Sequence, residues 1–496
     1  MRIVLAAGEA VPYCKTGGLA DVAGTLARKL AALGHDVCLF IPKYRGLKNV
    51  PARLERVPVK IPDGGARGRS LSVASAVLPP SDKGAGTLRL CLVDDPALYD
   101  RDGLYNFGGR DHPDNDLRFT VFCRSVLEGA KALNFRPDVI HVHDWQAGLI
   151  PAYLKRHYRD DSFFSGAASV MTIHNMAYQG NFPREAAALA GFGPEDFNPE
   201  ALEFYGKMSF LKAGIAFADK LTAVSPTYAR EIRESAERGF GMEGLLSRRR
   251  NDLFGILNGL DVDFWNPETD KRIPKSFGSR DAAAGKAACK KLLRSECGLR
   301  DEPAKPLAAV ISRFDYQKGL DLAAATIETR LGRCQLAVLG DGDWGLAETF
   351  STLAQRHPQD VFLRHGFDDV LAHRIYAAAD LFLIPSRFEP CGLGQMIAMR
   401  YGGVPIAART GGLLDTVFES SDSGRCANGF LCAPNDGADL GRALDRALQE
   451  WKTAGWAARV ACAMSGDYSW DKSVPQYLSV YESARAARNQ SGAARR

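Results

Sequence analysis

Two successive series of apolar strands and amphipathic helices occupy most of this chain and restrict its fold more than any other feature. In the first series, the predicted elements are strands at 3–7, 37–41, 139–142 and 169–173 and a helix at 19–33. In the second, they are strands at 307–311, 336–339, 381–385 and 404–408 and helices at 320–331 and 346–355. Apolar strands that alternate with helices are typical of βαβ units, whose parallel sheet is buried on both faces. The sequence therefore predicts an α/β fold with two Rossmann-like parallel-sheet domains.

The change from one series to the next sets the predicted domain boundaries. The predicted parts are an N-terminal domain at 1–256, a C-terminal domain at 257–466, a C-terminal helix at 467–485 and a flexible basic tail at 486–496. Trp470, Tyr477 and Tyr481 follow helical spacing, which favours the C-terminal helix. Residues 270–306 are rich in Lys and Ala, so we expect a surface segment there.

Composition argues against two classes of partner and favours one compartment. Lys and Arg number 63 against 58 Asp and Glu, and the resulting net charge of +5 is too small to indicate a nucleic-acid partner. No stretch approaches the roughly 20 apolar residues of a membrane-spanning helix, so no membrane partner is expected. The 11 cysteines form no CxxC pair, so we expect reduced thiols and a cytoplasmic protein.

A Thr-Gly-Gly motif opens a predicted helix in each domain, at 16–18 and at 410–412. Two glycines at a helix start let the backbone approach a ligand, and the first free N–H groups then point at it. Lys15 directly precedes the first copy and adds a cation, which is typical of an anion site. A tight turn and a solvated lysine are the alternatives for each feature taken alone. Together, the two copies predict a phosphorylated ligand in a central cleft that both domains face.

Two cations follow the first strand of the second series. Arg313 and Lys318 lie between the strand at 307–311 and the next helix, where α/β proteins build their sites. A guanidinium grips phosphate with two N–H groups, and an ammonium adds a point charge. The pair could therefore stabilise a departing diphosphate without a metal. A surface ion pair is the alternative.

The segment 385–395 joins another predicted strand to a helix and contains Glu389. A carboxylate at such a strand end can bind sugar hydroxyls or stabilise an oxocarbenium-like centre, and the alternative is that it caps the following helix. Residues Cys391 to Gly394 are expected to present backbone amides at the helix start. No histidine neighbours Cys391 in the sequence, so we interpret this cysteine as part of the amide-presenting turn and not as a nucleophile.

Histidines end two strands of the first series. His141 and His143 lie on the strand before Asp144, and His174 follows the strand at 169–173. The spacing of the first two resembles a metal site, but no further cluster of His or carboxylate completes it, so no metal is predicted there. Each histidine taken alone is more typical of a hydrogen-bonded core position than of a catalytic one.

Residues 340–345 match the dinucleotide-binding pattern GxGxxG, and Asp368 lies at roughly the distance of a ribose-binding acid. This pattern would indicate a nicotinamide-dependent enzyme. The motif, however, follows the second strand of its domain instead of the first, and Asp341 and Asp343 would place negative charge beside a pyrophosphate. We therefore predict a loop near the nucleotide and no dehydrogenase.

Taken together, these segments resemble the bacterial and plant glycogen (starch) synthases, which have the GT-B fold and use ADP-glucose. The matching segments follow the family's order along nearly the whole chain and are 15–22, 143–145, 172–175, 178–180, 258–261, 313–318 and 387–393. Each segment is short, but their joint occurrence is highly specific. In this family, the C-terminal helix returns to pack on the N-terminal domain, which is the expectation for 467–485.

The resemblance implies four catalytic residues, which are Glu389, His174, Arg313 and Lys318. The two cations would neutralise the ADP leaving group. The histidine would lie beside the transferred glucose, close to its 6-hydroxyl. The carboxylate would hold the glucose and support the electron-poor anomeric carbon.

The resemblance also implies substrate-binding residues, which are Lys15, Gly17, Gly18, Asp21, Tyr99, Asp144, Asn175, Asn258, Phe367, Cys391, Gly392, Leu393 and Gly394. Lys15 and the two glycines after it would contact the diphosphate and glucose of the donor, and Asn258 would border the donor site. Asp144 and Tyr99 would lie nearer the sugar or the acceptor. Phe367 stands where the family has a Tyr against adenine, and a phenyl ring can still stack there.

The implied activity is transfer of glucose from ADP-glucose to the non-reducing end of an α-1,4-glucan such as glycogen, with retention of anomeric configuration. Front-face attack, in which the leaving phosphate accepts the acceptor's proton, needs no second carboxylate, unlike retaining glycosidases. No cofactor and no metal are therefore expected. Related transferases of broader specificity usually carry a second Glu where this chain has Ile397. A broader transferase that prefers UDP-glucose and a catalytically silent glucan-binding paralogue are the alternatives.

Overall fold

The computed structural model describes residues 1–62, 68–79, 86–420 and 425–493. The chain divides into two compact units. The first contains Met1–Val224, Ala229–Ile256 and the residues from Trp470 onward, and the second contains Ser225–Tyr228 and Leu257–Ser469. The main division falls after Ile256, and the second division lies a few residues after 466, the predicted end of the C-terminal domain.

A nine-stranded sheet is the centre of the first unit in the part of the chain that the structure describes. The strands before residue 257 are β1 (Arg2–Ala6), β2 (Asp36–Pro42), β3 (Glu55–Lys60), β4 (Ser70–Leu78), β5 (Leu88–Asp94), β6 (Asn106–Phe107), β7 (Arg110–Asp111), β8 (Val139–His143), β9 (Ala168–Ile173), β10 (Asn181–Phe182), β11 (Glu203–Phe204), β12 (Lys207–Ser209), β13 (Lys220–Ala223) and β14 (Leu253–Gly255). The sheet has the order β14-β13-β9-β8-β1-β2-β5-β4-β3. Every pair from β14 to β5 is parallel, so these strands end at one edge of the sheet.

One end of this sheet departs from the purely parallel sheet that the sequence predicts. Strand β4 pairs antiparallel with both β3 and β5. A parallel crossover needs about a dozen or more residues, and the connections at 61–69 and 79–87 are shorter than that. The chain therefore turns back on itself at this end.

Helices cover the parallel part of the sheet. Those before residue 257 are α1 (Gly18–Ala32), α2 (Pro96–Tyr99), α3 (Asn115–Ala132), α4 (Leu149–Arg156), α5 (Ala186–Leu189), α6 (Phe210–Phe217), α7 (Pro226–Glu234), α8 (Ala236–Gly239) and α9 (Glu243–Arg248). In α1, the apolar residues from Leu19 to Leu30 are buried at helical spacing. Gly34 follows the helix with φ +87°, a conformation that a residue without Cβ adopts at low cost.

The second unit contains a six-stranded sheet within the described residues. Its strands are β15 (Leu307–Ile311), β16 (Gln335–Gly340), β17 (Val361–His365), β18 (Leu381–Ile384), β19 (Val404–Ala408) and β20 (Phe430–Cys432). Its helices are α10 (Ala282–Glu296), α11 (Leu320–Glu328), α12 (Trp344–Arg356), α13 (Asp369–Ala378), α14 (Gly394–Arg400), α15 (Gly411–Thr416), α16 (Gly437–Glu450) and α17 (Gly455–Ser465). The order is β17-β16-β15-β18-β19-β20, and every pair is parallel.

The segment 270–306 is more than the surface segment that the sequence predicts. Helix α10 lies within it and buries Cys289 and Leu293 in the core of the second unit. Two of its three lysines are buried with their amino groups bonded: Lys286 donates to the carbonyls of Ala377 and Tyr401, and Lys290 pairs with Asp380. The lysine-rich composition led to the prediction of a solvent-exposed segment. That prediction was wrong because the sequence alone does not reveal the partners of the buried lysines.

A long helix, α18 (Val474–Ala493), belongs to the first unit. Trp470, Tyr477 and Tyr481 are buried in that unit's core. The segment predicted as a flexible tail, 486–496, is helical to Ala493, and its alanines and arginines are strong helix formers. Residues 494–496 lie outside the described residues. None of the described helices combines the length and apolar character needed to cross a bilayer.

A disulfide joins Cys426 to Cys462 in the second unit. This corrects the prediction that all cysteines are reduced. The Cα atoms of the pair are 5.9 Å apart, a separation that a disulfide spans. The two residues are 36 positions apart and follow no motif, so their spacing in the sequence gave no sign of the pairing.

Candidate functional site

The loop that holds Lys15 and the first Thr-Gly-Gly copy is fixed by a buried carboxylate. Glu9 follows the carboxyl end of β1 and is almost fully buried. It accepts hydrogen bonds from the Thr16 amide, from Thr16 Oγ1 at 2.8 Å and from the Gly17 amide at 3.2 Å. Burial raises the pKa of Glu9 to about 7. Sequence analysis missed this residue, although an acid just after a parallel strand was a usable signal.

The remaining residues of this loop face open space. The Lys15 ammonium lies 2.8 Å from the carboxylate of Asp21. A Cβ on Gly18 would meet no described heavy atom within 4 Å, and one on Gly17 would meet Glu9 Oε1 only at 3.8 Å. The loop therefore exposes a cation and unobstructed glycine backbone, and the binding of a ligand there stays a prediction.

Three histidines form a chain in the first unit, in which His141 and His143 are buried and His174 is half-buried. His143 Nδ1 lies 3.0 Å from His174 Nε2, and the ring of His141 lies 4.3 Å from that of His143. Burial lowers the pKa of His143 to about 3 and that of His174 well below its usual value. These imidazoles are therefore neutral near pH 7, so His174 can exchange hydrogen bonds with a sugar hydroxyl but adds no positive charge.

Asp144 occupies a strained position between β8 and the following turn. Its φ is +52°, in the left-handed region that non-glycine residues rarely adopt. Its side chain accepts the backbone N–H of His174 at 2.6 Å and that of Asn175. Burial raises the pKa of Asp144 to about 8. Such strain persists where the surrounding structure fixes it, often at functional sites.

The metal-like spacing of His141 and His143 has another physical origin. His141 Nδ1 lies 2.8 Å from the Tyr481 hydroxyl, and its Nε2 lies 2.6 Å from Thr172 Oγ1. Both ring nitrogens of His141 are therefore bonded within the protein. Across the described ranges, no group of three or more His, Cys, Asp or Glu side chains is arranged to hold a metal ion.

Tyr99 does not take the place that the resemblance implies. Its side chain is fully buried, and its hydroxyl donates to the Arg118 carbonyl at 2.7 Å. Its ring packs edge-on against Tyr44. The predicted contact with sugar or acceptor is therefore not supported, because no face of the side chain is open to a ligand. Sequence reasoning could not separate a core tyrosine from a binding one.

In the second unit, Lys318 and Glu389 meet in a direct ion pair. Their strands, β15 and β18, are parallel neighbours, so the turns after them lie together. Lys318 Nζ is 2.6 Å from Glu389 Oε2, which also accepts the Ser386 hydroxyl at 2.9 Å. Glu389 is only 5% exposed. These contacts juxtapose a cation and a carboxylate at the carboxyl edge of the sheet, where sequence analysis expected both.

Arg387 anchors the turn that carries Glu389. Its guanidinium bonds both carboxylate oxygens of Asp321, at 2.9 and 2.8 Å, and its backbone N–H donates to the Gln317 carbonyl at 2.7 Å. Gln317 in turn donates to the Phe388 carbonyl at 3.1 Å. The turns after β15 and β18 are therefore bonded to each other, which fixes the relative position of Lys318 and Glu389.

The GxGxxG segment supports the loop of Arg313. A Cβ on Gly340 would lie 2.0 Å from the Ser312 carbonyl oxygen, and one on Gly342 would lie 2.4 Å from that of Phe314. The glycines therefore allow two backbone segments to touch, which explains them without a dinucleotide. Arg313 lies between Ser312 and Phe314 in the chain, and its side chain is exposed. Phe367, after β17, is 85% exposed, so its ring is open to stacking.

The second Thr-Gly-Gly copy does not present open glycines. Gly411 has φ +44°, and a Cβ there would lie 2.0 Å from the Glu389 carbonyl oxygen. The Gly412 N–H donates to that same carbonyl at 3.0 Å. This copy supports the backbone of the Glu389 turn, in contrast to the first copy, whose glycines are open.

The turn from Cys391 to Gly394 is half-buried and leads directly into α14. Burial raises the pKa of the Cys391 thiol to about 12, so it stays protonated and is a poor nucleophile. Asn258 is buried beside it and donates its backbone N–H to the sulfur. Asn258 Oδ1 has no hydrogen-bond partner among the described residues. A buried amide oxygen of this kind is available to a ligand donor.

Comparison with known proteins finds a matching family model for each half of the chain. The family model "Starch synthase catalytic domain" matches residues 2–248, and "Glycosyl transferases group 1" matches residues 299–458. The glycogen synthase of Elusimicrobium minutum is 46% identical over 97% of this chain and 99% of its own length. That of Anaeromyxobacter dehalogenans is 43% identical over 97% of this chain and 99% of its own length.

Two solved structures extend the comparison to the fold. The catalytic domain of starch synthase IV from Arabidopsis thaliana, bound to ADP and acarbose, has a TM-score of 0.88 and 33% identity, covering 98% of this chain and 99% of that one. The sucrose-phosphate synthase of Thermosynechococcus elongatus has a TM-score of 0.59 and 19% identity, covering 98% of this chain and 100% of that one. The second likeness concerns the fold alone.

Proposed function

Because this chain belongs to the glycogen synthase family of GT-B glycosyltransferases, we propose that it transfers glucose from ADP-glucose to the non-reducing end of an α-1,4-glucan with retention. The family and the fold class that the sequence predicts are confirmed by the matches over nearly the whole chain. The observation that carries the proposal is the ion pair of Lys318 and Glu389, with an exposed Arg313 in the same segment after β15. Cations suit a leaving diphosphate, and a buried carboxylate suits an electron-poor anomeric carbon.

The proposed step is a front-face substitution. The bond between glucose C1 and the β-phosphate oxygen of ADP breaks, and the 4-hydroxyl oxygen of the acceptor bonds to C1 on the same face. The proton of that hydroxyl passes to the leaving phosphate. Lys318 and Arg313 stabilise the charge that builds up on this phosphate, and Glu389 stabilises the positive charge at C1. His174, which is neutral near pH 7, forms a hydrogen bond with a sugar hydroxyl.

We assign the open Lys15 loop of the first unit to the binding of phosphate and sugar oxygens. Its ammonium and the unobstructed backbone at Gly18 suit such groups. We propose that no cofactor and no metal takes part, since side chains of this protein supply the positive charge around the diphosphate. ADP and acarbose in the Arabidopsis relative support a nucleotide sugar and a glucan as ligands.

The proposed compartment is the cytoplasm. Nine cysteines outside the disulfide are free thiols, the common state in a reducing compartment.

The choice of donor gives the first test. We expect kcat/KM to be at least about tenfold higher with ADP-glucose than with UDP-glucose, because a purine covers the exposed Phe367 ring better than a pyrimidine does. Radiolabelled glucose incorporated into glycogen measures both donors, with protein dialysed against EDTA. Phe367→Ala should raise the KM for ADP-glucose, whereas Phe107→Ala, another exposed phenylalanine, should leave it unchanged.

Other outcomes of this assay separate the alternatives. Preference for UDP-glucose would indicate a transferase of broader specificity. No incorporation from either donor, with intact binding of maltooligosaccharide, would indicate a silent glucan-binding protein. Activity that is lost in EDTA and restored by Mg²⁺ would contradict the metal-free proposal.

Glu9 gives a second test through pH. Protonation removes acceptor capacity from the loop that it holds, so below about pH 7 we expect the KM for ADP-glucose to rise. Glu9→Gln imitates the protonated form and should raise this KM about tenfold at pH 8, since hydrogen bonds to a charged acceptor are lost. Its KM should then vary little between pH 6 and 8. Initial rates over this range, with both substrates varied, measure the effect.

Glu128→Gln is the matched control, because Glu128 also accepts a hydrogen bond in the first unit, from the Tyr158 hydroxyl. Its pH profile should equal that of the unmodified protein. If Glu9→Gln kept the KM and pH profile of the unmodified protein, Glu9 would have no part in donor binding.

A further inference from the structure

Two aromatic rings of the second unit stand at the carboxyl edge of its sheet with most of their surface open. Trp344 is 77% exposed and begins α12, directly after the loop that follows β16. Phe367 is 85% exposed and follows β17. These strands are parallel neighbours, with Gly340 opposite His365, so the loops after them lie side by side. The GxGxxG segment therefore carries an exposed ring of its own beside the loop of Phe367.

Backbone hydrogen bonds hold both loops in place. The Gly366 N–H donates to the Gly340 carbonyl at 2.7 Å, which extends the pairing of the two strands by one residue. The Asp343 N–H donates to the Phe314 carbonyl at 2.9 Å. The Asp343 carboxylate accepts the Leu346 N–H at 2.9 Å and so caps α12. The two exposed rings are therefore carried by backbone that is already ordered, which lowers the cost of binding a ligand.

His365 supports the Trp344 ring. The two ring centres are 4.4 Å apart and the planes meet at 61°, an edge-on contact. The imidazole packs in turn on the core residue Phe314, with ring centres 5.6 Å apart. Phe367 lies two residues after His365, and two residues of chain span about 7 Å at most. Trp344 and Phe367 therefore form one aromatic surface around His365.

Carboxylates border this aromatic surface. Asp341 and Asp343 lie in the loop just before Trp344, and the side chain of Asp341 is 70% exposed. Negative charge repels a diphosphate, so the surface does not suit the phosphate end of a nucleotide. A nucleobase is uncharged near pH 7, and its flat ring stacks on aromatic side chains. The aromatic surface therefore matches the base of a nucleotide.

We propose that the adenine of ADP-glucose lies between the Trp344 and Phe367 rings, so that Trp344 is a specificity-determining residue for the donor. The inference rests on the proposed function, since that function supplies ADP-glucose as the donor. The resemblance to the family implies one ring against adenine, that of Phe367, and Trp344 adds a second. Contact on both faces favours a purine over a pyrimidine, because the larger ring covers more of each side chain.

The first measurement is isothermal titration calorimetry of the full chain with ADP and with UDP. Trp344→Ala should weaken ADP binding about tenfold, the usual effect of removing an aromatic ring that stacks on a base. It should weaken UDP binding much less, because the smaller base covers less of the indole. Leu292→Ala truncates another exposed apolar side chain of the second unit and should leave both affinities unchanged.

Tryptophan fluorescence gives an independent measurement. A base that stacks on an indole quenches its emission, so ADP should quench the unmodified protein with the dissociation constant that calorimetry gives. Trp344→Phe should abolish this quenching and keep most of the affinity, because a phenyl ring still stacks. Trp451→Phe removes a half-buried tryptophan that follows α16 and should keep the quenching.

Three results would overturn this inference alone, in a protein that transfers glucose from ADP-glucose. The first is an unchanged ADP affinity in Trp344→Ala, which with a lowered unfolding temperature would show that the indole only covers His365. The second is an equal loss of affinity for ADP and UDP, because Trp344 would then not distinguish the bases. The third is quenching by ADP that persists in Trp344→Phe. An unmodified protein that binds no ADP would contradict the inference and the proposed donor together.

Discussion

Replacing Glu389 by Gln is expected to lower kcat by about two to three orders of magnitude, the usual loss when a preorganised group that stabilises the transition state is removed. Gln keeps the volume of this nearly buried side chain and removes only its charge. The positive charge at the anomeric carbon then lacks its carboxylate, and Lys318 loses its partner at 2.6 Å. Initial rates with labelled ADP-glucose and glycogen measure the change, and the KM for the donor should change far less than kcat.

Glu450→Gln is a suitable control, because Glu450 is also an ion-paired glutamate of the second unit, with Arg459 at 2.7 Å. We expect its kcat to equal that of the unmodified protein. A Glu389→Gln variant with full kcat would show that the carboxylate takes no part in transfer.

Replacing Lys318 by Ala should lower kcat/KM for ADP-glucose by about a thousandfold, because the leaving diphosphate loses a cation. Steady-state rates with the concentration of ADP-glucose varied measure this loss.

The double variant Lys318→Ala/Glu389→Gln tests whether the two residues act as a unit. Residues that act together give losses that do not add, so the double variant should be little worse than the poorer single variant. Lys305→Ala, which removes a lysine paired with Glu302, is the control and should retain full activity. Fully additive losses would show that Lys318 and Glu389 act independently.

The helices and strands whose apolar residues form a clear helical or strand pattern in the sequence were predicted correctly. Helix α1 and the strands β15 and β19 lie where apolar spacing indicated them, because one face or both faces of each are buried. The antiparallel strands at 55–94 were missed, since no helical period separates them and their pairing depends on short connections. Helix α10 was hidden because its buried lysines find partners distant in the chain.

The residues of the candidate site, too, could be predicted only in part, because contacts between distant positions are not visible in the sequence. Lys318 and Glu389 could be placed at one sheet edge, because both follow parallel strands, but their ion pair joins positions 71 residues apart. Glu9 was missed because its partners are backbone amides, which no side-chain motif reveals. Tyr99 was assigned to a ligand because a family motif does not report whether a side chain is buried.

Folding order during synthesis follows from the position of Trp470 and Tyr481 in the core of the first unit. The second unit is made of residues 225–228 and 257–469, so all of its chain has left the ribosome before the first unit receives its last helix. Until then, the apolar surfaces of α1 and β9 that α18 packs against stay exposed in the nascent protein. The part of the protein that is translated first is therefore the last to be completed.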